Sequence, residues 1–500
     1  MATTVDVTIK TGTVRGIQRD GSAEFLGIPF AEPPVGELRF AAPIPHAAWH
    51  GIRDATQHGA TPQRAALMEV TLIPEPSIPG ESTLNVDVFT PRPDGAGALL
   101  PVLVWIHGGG FVAGSPASPW YDGAAFNRDG VVTVNVSYRL GFDGFGWIED
   151  APNNRGVLDW IAALEWVRDN ISAFGGDPSR VTIAGQSAGG GAVLTLLAVP
   201  KAARLFTRAI SLSGPDSNVS LELAEQLGRQ VAERAGVPPT RAGLSTIDEA
   251  AILGFQNSVS SIAGPEDPDN PLAGLAALAA GGLQWAPISD GQLLSGNVAE
   301  MLAKGLPTGK ALLFGCTDNE FNMVLTPHTE ALASVDPEAA LGAFRLPSEA
   351  ARAYVSAHQG MPTAGMLGQF VTDSIFRSYS RRLAELLAAA GTPAWLYRVS
   401  WNSPTMGGAV HCIDVPFFFD CLDAERVGVI AGENPPAQLA ADVHGAAVRF
   451  ITIGEPGWPA YAVPERDVRV YDSPSSIESD GYAEVAEWVP PGRTDPSRAQ

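Results

Sequence analysis

Cysteine is close to missing from this chain, with three residues in 500, at Cys316, Cys412 and Cys421. So sparse and odd a count, without paired spacing, argues against a disulfide scaffold and against a zinc site, and it favours a cytoplasmic location. Cys316 and Cys412 read as small buried filler. Lysine is nearly as scarce, at Lys10, Lys201, Lys304 and Lys310. With 32 basic against 54 acidic residues the formal charge is −22, a surface that repels nucleic acid and anionic membranes. Charged residues still make up only 17% of the chain, too few to favour a salt-adapted protein, so the acidity is assigned to solubility. No uninterrupted apolar run of about 18 residues marks a membrane span. The start, Met1-Ala2-Thr3-Thr4, lacks the basic and apolar regions of a secretory leader.

Apolar residues are plentiful, at 45%, enough for a large core. The length exceeds a usual single domain, but α/β folds with insertions reach it. Strand-like runs, among them Val131–Val136, Val181–Ala184 and Ala209–Ser213, alternate with helical stripes such as Val157, Leu158, Ile161, Leu164 and Val167. Alternation of this kind predicts a mostly parallel sheet with helices on both faces. We read residues 1–489 as one domain, with helical cap insertions near 221–280 and 320–390 and a disordered tail at 490–500. The stretch from Leu67 to Pro79 reads as a mobile loop beside the pocket.

The chemistry centres on Gly185-Gln186-Ser187-Ala188-Gly189. A β-branched run precedes it and an apolar run to Pro200 follows. Strand, tight turn with serine, then helix is the context that makes G-x-S-x-G a nucleophile elbow. The helix aims its free N–H groups at the reacting centre. Upstream, the strand-like Pro101–Ile106 runs into His107-Gly108-Gly109-Gly110-Phe111. Glycines after a strand leave backbone N–H groups unshielded, as an oxyanion hole requires.

A serine nucleophile needs a base and an orienting acid, in the chain order Ser, Asp/Glu, His on this fold. Of eight histidines, His46, His50 and His58 precede the elbow in a Pro-rich surface stretch, and His107 belongs to the glycine loop. His444 sits in an amphipathic helix pattern, and His328 and His358 have polar, loop-like or helical neighbours. His411 follows Gly407-Gly408-Ala409-Val410 and leads into Val415-Pro416-Phe417, a loop before an apolar wall, and it is the candidate base. The strand Ala311–Gly315 is followed by Asp318 and Glu320, and spacing does not choose between them.

The chain resembles the type-B carboxylesterases, which include bacterial para-nitrobenzyl esterases, animal carboxylesterases and cholinesterases. The resemblance runs from about Gly12 to about Tyr471. It is carried by Phe25-Leu26-Gly27-Ile28-Pro29-Phe30-Ala31-Glu32-Pro33-Pro34-Val35-Gly36, by Asn135-Val136-Ser137-Tyr138-Arg139-Leu140-Gly141, and by Phe174-Gly175-Gly176-Asp177-Pro178. It implies an α/β-hydrolase fold with helical cap insertions and an ester hydrolase that needs no cofactor or metal. The family's Gly-x-x-x-x-Glu pattern falls on Gly315 to Glu320, and its His-x-x-Asp/Glu run starts at His411. The implied triad is therefore Ser187, Glu320 and His411, with Gly109, Gly110 and Ala188 as oxyanion donors.

Gln186, Phe111 and Phe321 are the candidates for substrate contact. Most relatives have glutamate where this chain has Gln186, and glycine where it has Phe321. Glu81-Ser82-Thr83-Leu84 replaces a segment that carries a disulfide cysteine in relatives. The expected partner is a small-molecule ester, for a monomer or homodimer. An amide, carbamate or thioester would suit the same triad. A non-catalytic binding protein, as among the family's adhesion members, is the reading the filled catalytic positions disfavour.

Overall fold

Alternate residues of the strand Leu100–Ile106 enter two different cores. Val102, Val104 and Ile106 pack into one, and Leu103 and Trp105 into the other. A strand buried on both faces is the mark of a parallel sheet covered by helices on each side. The computed structural model describes residues 3–486, except 65–70, 96, 261–271, 273–275, 277–278, 280–281 and 306–308. The expected tail at 490–500, much of the 261–280 part of the first insertion and the 67–70 part of the expected loop lie outside the described residues.

The main sheet is built from β1 (Thr3–Ile9), β2 (Gly12–Arg19), β3 (Ser22–Pro29), β4 (Ile52–Asp54), β5 (Asn85–Thr90), β6 (Leu100–Ile106), β7 (Val132–Val136) and β8 (Gly176–Gln186). It continues with β9 (Arg208–Leu212), then, after a separate two-stranded pair β10 (Val219–Ser220) and β11 (Ile288–Ser289), with β12 (Ala311–Thr317), β13 (Ala394–Val399), β14 (Asp467–Tyr471) and β15 (Ser476–Ser479). The spatial order is β1-β2-β3-β5-β7-β6-β8-β9-β12-β13-β14-β15, with β4 beside β2. From β7 to β14 every neighbouring pair is parallel. The outer strands β1, β2, β3, β5 and β15 pair antiparallel.

One core holds α1 (Arg155–Asn170) and α2 (Ala188–Leu197), through Val157, Trp160, Ile161 and Leu164 and through Ala192, Val193 and Leu196. The other face is covered by the helix Ala437–Ile453. Between α2 and β12 lie α3 (Leu221–Ala235) and α4 (Glu249–Val259). Between β12 and β13 lie the helices Pro337–Ala343 and Ser348–Ala357 and the pair α5 (Thr363–Thr372) and α6 (Ser378–Ala389), joined by a π-helical turn at Asp373–Arg377. After β13 come the short α7 (Asp414–Phe418) and α8 (Ala437–Ile453), whose Leu439, Val443, Ala447 and Phe450 fill the second core.

The chain leaves β6 for β7 on one side and returns to β8 on the other. The crevice between β6 and β8 is therefore a topological switch point, where sheets of this kind keep their ligands. Ile106 pairs with Gly185, Gln186 with Leu212, and Thr317 with Val399. The segments after β6, β8, β12 and β13 thus emerge side by side at one end of the sheet. No helix among the described residues is long and apolar enough to cross a membrane.

Candidate active site

Ser187 sits at the end of β8 with φ 58° and ψ −125°, immediately before α2. A non-glycine residue there is strained by about 1–3 kcal/mol. The surroundings enforce the strain: the Ser187 N–H donates to Leu212 O at 2.8 Å, and its own carbonyl accepts from Gly191 N–H at 2.9 Å. A Cβ on Gly189 would stand 2.0 Å from Ile106 O, so only glycine lets α2 pass this close to β6. Ser187 is only partly covered, in a turn whose other residues are buried.

The loop after β6 lies against this turn. A Cβ placed on Gly108 would meet Gln186 O at 2.7 Å and Ser187 Cβ at 3.2 Å. Gly109 and Gly110 have φ of 110° and 61°, and Gly109 O closes the turn by accepting from the N–H groups of Val112 and Ala113. Among the described residues the N–H groups of Gly109, Gly110 and Ala188 donate to no backbone acceptor. Ala188 opens α2, so its N–H is one of the helix's unpaired donors. His107 braces the loop. Its ring stacks on Tyr138 and its Nδ1 contacts Gly108 O at 2.8 Å, while the Tyr138 hydroxyl donates to His107 O. Burial lowers its pKa to about 4, so the ring is a neutral structural group.

His411 is brought to the same sheet end by the segment after β13. Its Nδ1 hydrogen-bonds the carboxylate of Glu320, which is wholly buried. The second oxygen of Glu320 accepts from Thr317 N–H at 2.7 Å. The two loops are also strapped by backbone: His411 N–H donates to Glu320 O at 3.0 Å, and Asn319 N–H to Ala409 O at 3.0 Å. Burial disfavours the charged ring, but Cys412 and the Glu320 carboxylate favour it, and the balance holds His411 well above the ordinary imidazole range. Its Nε2 lies 3.2 Å from the Gln186 side-chain amide nitrogen. Among the described residues no hydrogen bond joins Ser187 Oγ to the ring.

The model of the carboxylesterase family matches residues 3–469. The chain belongs to the carboxylesterase family. It is 33% identical to the para-nitrobenzyl esterase of Bacillus subtilis, over 97% of this chain and 99% of that protein. It is 31% identical to the phenmedipham hydrolase of Pseudarthrobacter oxydans, over 95% of each. Among solved structures, the Geobacillus stearothermophilus carboxylesterase superposes with a TM-score of 0.83 at 32% identity, covering 96% of this chain and 99% of that one. The protein is thus a carboxylesterase with an α/β-hydrolase fold.

In this carboxylesterase the two acid candidates part company. Glu320 meets His411, while Asp318 meets Arg398 at 2.7 Å and Arg377 at 3.9 Å. Phe111, expected against substrate, is instead fully buried at φ 62° and packs on Phe145 and Trp160. The positive φ turns its side chain into the core. Phe321 is half-buried and faces the His411 ring, with centroids 5.3 Å apart. His58, expected on the surface, is partly buried against Asp87 at 2.8 Å.

Several residues at the site carry no sequence signal. Phe376, on the π-helical turn, covers His411 at 5.3 Å and stacks on Phe321. Gln369 and Thr372 of α5 hold the acid loop: Gln369 donates to Asp318 O, and Thr372 Oγ1 accepts from Phe321 N–H. Gln369, Thr372 and Phe376 stand three and four residues apart, so the end of α5 and the π-helical turn present them from one face.

Proposed function

We propose that this carboxylesterase acts through an acyl-enzyme, with Ser187 as nucleophile, His411 as general base and Glu320 as the orienting acid. The observation that carries the reading is the line Glu320–His411–Gln186, which ends on the residue bonded to the strained Ser187. With Nδ1–H donated to Glu320, Nε2 of His411, which meets only the Gln186 amide N–H at rest, is the nitrogen that takes a proton. As Ser187 Oγ bonds to the ester carbonyl carbon, its proton passes to Nε2 and the carbonyl π pair moves to oxygen. The N–H groups of Gly109, Gly110 and Ala188 receive that oxyanion. Each such donor is worth about 10²–10³ in kcat. Collapse expels the alcohol, which takes the proton from Nε2. Water, deprotonated in turn by His411, releases the acid and restores Ser187.

The preferred substrates in this reading are neutral esters of small to medium size. Gln186 supports it, since a buried amide stands beside the base with no fixed charge to draw a cation. The test is pre-steady-state hydrolysis of p-nitrophenyl esters, with matched anilides, carbamates and thioesters as comparison arms. A burst of p-nitrophenol equal to the enzyme concentration and an acyl mass increment on the peptide carrying Ser187 are expected. Turnover preserved in Ser187→Ala would end the proposal. Faster kcat/KM on an anilide or carbamate than on the ester would move the substrate class.

A further inference from the structure

The glycine loop is tied from behind by a charged pair on the segment that follows β4. Arg64 is almost fully buried, its side chain 5% exposed, and Glu75 is 17% exposed. The guanidinium donates to Glu75 O at 2.7 Å, Pro76 O at 2.9 Å and Thr61 Oγ1 at 3.3 Å, and it faces the Glu75 carboxylate at 3.7 Å. Further on, Thr61 and Ile78 exchange hydrogen bonds, Thr61 N–H to Ile78 O and Ile78 N–H to Thr61 Oγ1. Arg64 therefore gathers both ends of this segment and leaves the Glu75 carboxylate a definite direction.

That direction is the oxyanion loop. Glu75 Oε2 accepts from Gly114 N–H at 3.1 Å, and Ser115 Oγ donates to Pro76 O at 2.7 Å. The peptide between Ala113 and Gly114 is the surface on which Gly109 rests: a Cβ on Gly109 would lie 2.2 Å from Ala113 O and 2.7 Å from Gly114 N. A Cβ on Gly114, at φ 94°, would in turn strike Gly108 O at 2.2 Å. Contact this close means that the orientation of the 113–114 peptide and that of Gly108 and Gly109 are one variable. A charge-assisted bond to a carboxylate is the strong kind, and here a partly buried one restrains that peptide.

We propose that Glu75, aimed by Arg64, is a positioning residue for the oxyanion hole, holding the Ala113–Gly114 peptide so that the Gly109 and Gly110 N–H groups keep their aim. It touches neither the substrate nor the reacting atoms. The inference rests on the reading of Gly109 and Gly110 as oxyanion donors.

The experiment measures full-length variants per active site, titrated with a covalent phosphonate. Glu75→Ala is expected to lower kcat about 10–100-fold with KM within about 3-fold, the pattern of an interaction made in the transition state. Affinity for a trifluoromethyl ketone, which forms the tetrahedral adduct, should fall by the same factor, while the acid limb of the pH–rate profile stays in place. Glu75→Gln, which keeps an acceptor for Gly114 N–H, should recover most of the loss. If Glu75→Ala does not fold, Glu75→Asp, with the charge kept and the reach shortened, should show about a 10-fold loss. Wild-type kcat per titrated site in the Ala or Asp variant, or a Gln variant as impaired as Ala, would overturn the proposal. Ser187→Ala run alongside separates the two readings: retained activity there sinks the triad, whereas a dead Ser187→Ala beside an unimpaired Glu75 variant sinks this inference alone.

Discussion

Gln186 donates its side-chain amide toward Nε2 of His411 at 3.2 Å, while Nδ1 of the same ring is committed to Glu320. An amide N–H at Nε2 stabilises the neutral ring. A carboxylate in its place would stabilise the imidazolium. The residue before the nucleophile therefore acts on the charge of the base as well as on the field met by the substrate.

Gln186→Glu is expected to move the acid limb of kcat/KM to higher pH by about one unit, since a carboxylate beside a ring raises its pKa. The wild-type limb should itself rise with pH through a midpoint above 6.5, the ordinary imidazole value, because His411 is held high by its neighbours. The same substitution should improve a choline ester relative to its uncharged isostere by about 1–3 kcal/mol in a low-dielectric site. A pH–rate profile and a competition assay with the two esters read both effects. An unmoved limb, or a ratio that does not turn toward the cation, would refute the assignment.

The central strands and the elbow were legible because their signals are local. An unbroken apolar run such as Val102–Ile106 has few alternatives to a buried parallel strand, and the Gly189 contact with Ile106 O explains why its position is glycine. The acid was not legible from spacing, because Asp318 and Glu320 both follow β12. Only the fold sends one to Arg398 and the other to His411. Phe111 misled because its place after three glycines says nothing of a backbone φ of 62° that points the ring inward. Phe376 and Glu75 reach the site from distant segments, and a contact of that range leaves no periodicity or motif to read.

Ser187→Ala should cost about 10⁴–10⁶ in kcat with the fold intact, since triad members act as a unit. Glu320→Gln should cost far more activity than Asp318→Asn. The Asp318 change breaks a partly buried ion pair with Arg398 and Arg377, so its loss should appear in thermal stability, by about 1–3 kcal/mol. Paired kcat and unfolding measurements on the two acid variants decide the matter. Greater loss of kcat in Asp318→Asn would reverse the assignment.

The rings of Phe321 and Phe376 both face His411 at 5.3 Å. Aromatic faces favour the imidazolium over the neutral ring, by about 0.5–1 kcal/mol each. Phe376→Leu should therefore lower kcat about 2–10-fold and shift the acid limb slightly to lower pH, and the double variant with Phe321→Leu should shift it further. A pH–rate series on the three variants tests this. A limb that moves upward, or a double variant equal to wild type, would show that the rings serve packing alone.

Asp414 closes the first turn after His411 and is fully buried. One oxygen accepts from the Tyr397 hydroxyl at 3.1 Å, and the other has no hydrogen-bond partner among the described residues. Burial, together with the nearby Glu320 charge, raises its pKa from 3.8 to about 7. The sign of the linkage follows from proton binding. Between pH 4 and 7 the unfolded chain has lost this proton and the folded chain still holds it. Unfolding then releases a proton, and the contribution of Asp414 to stability falls as pH rises through this window. Above pH 7, where folded and unfolded chains have both lost the proton, the loss levels off. Asn cannot ionise and keeps an oxygen for Tyr397. The melting temperature of Asp414→Asn minus that of wild type should therefore climb from pH 4 to pH 7 and then flatten. A difference that stays constant across that range would mean that Asp414 is ionised in the folded protein at every pH tested, with its charge met by a partner.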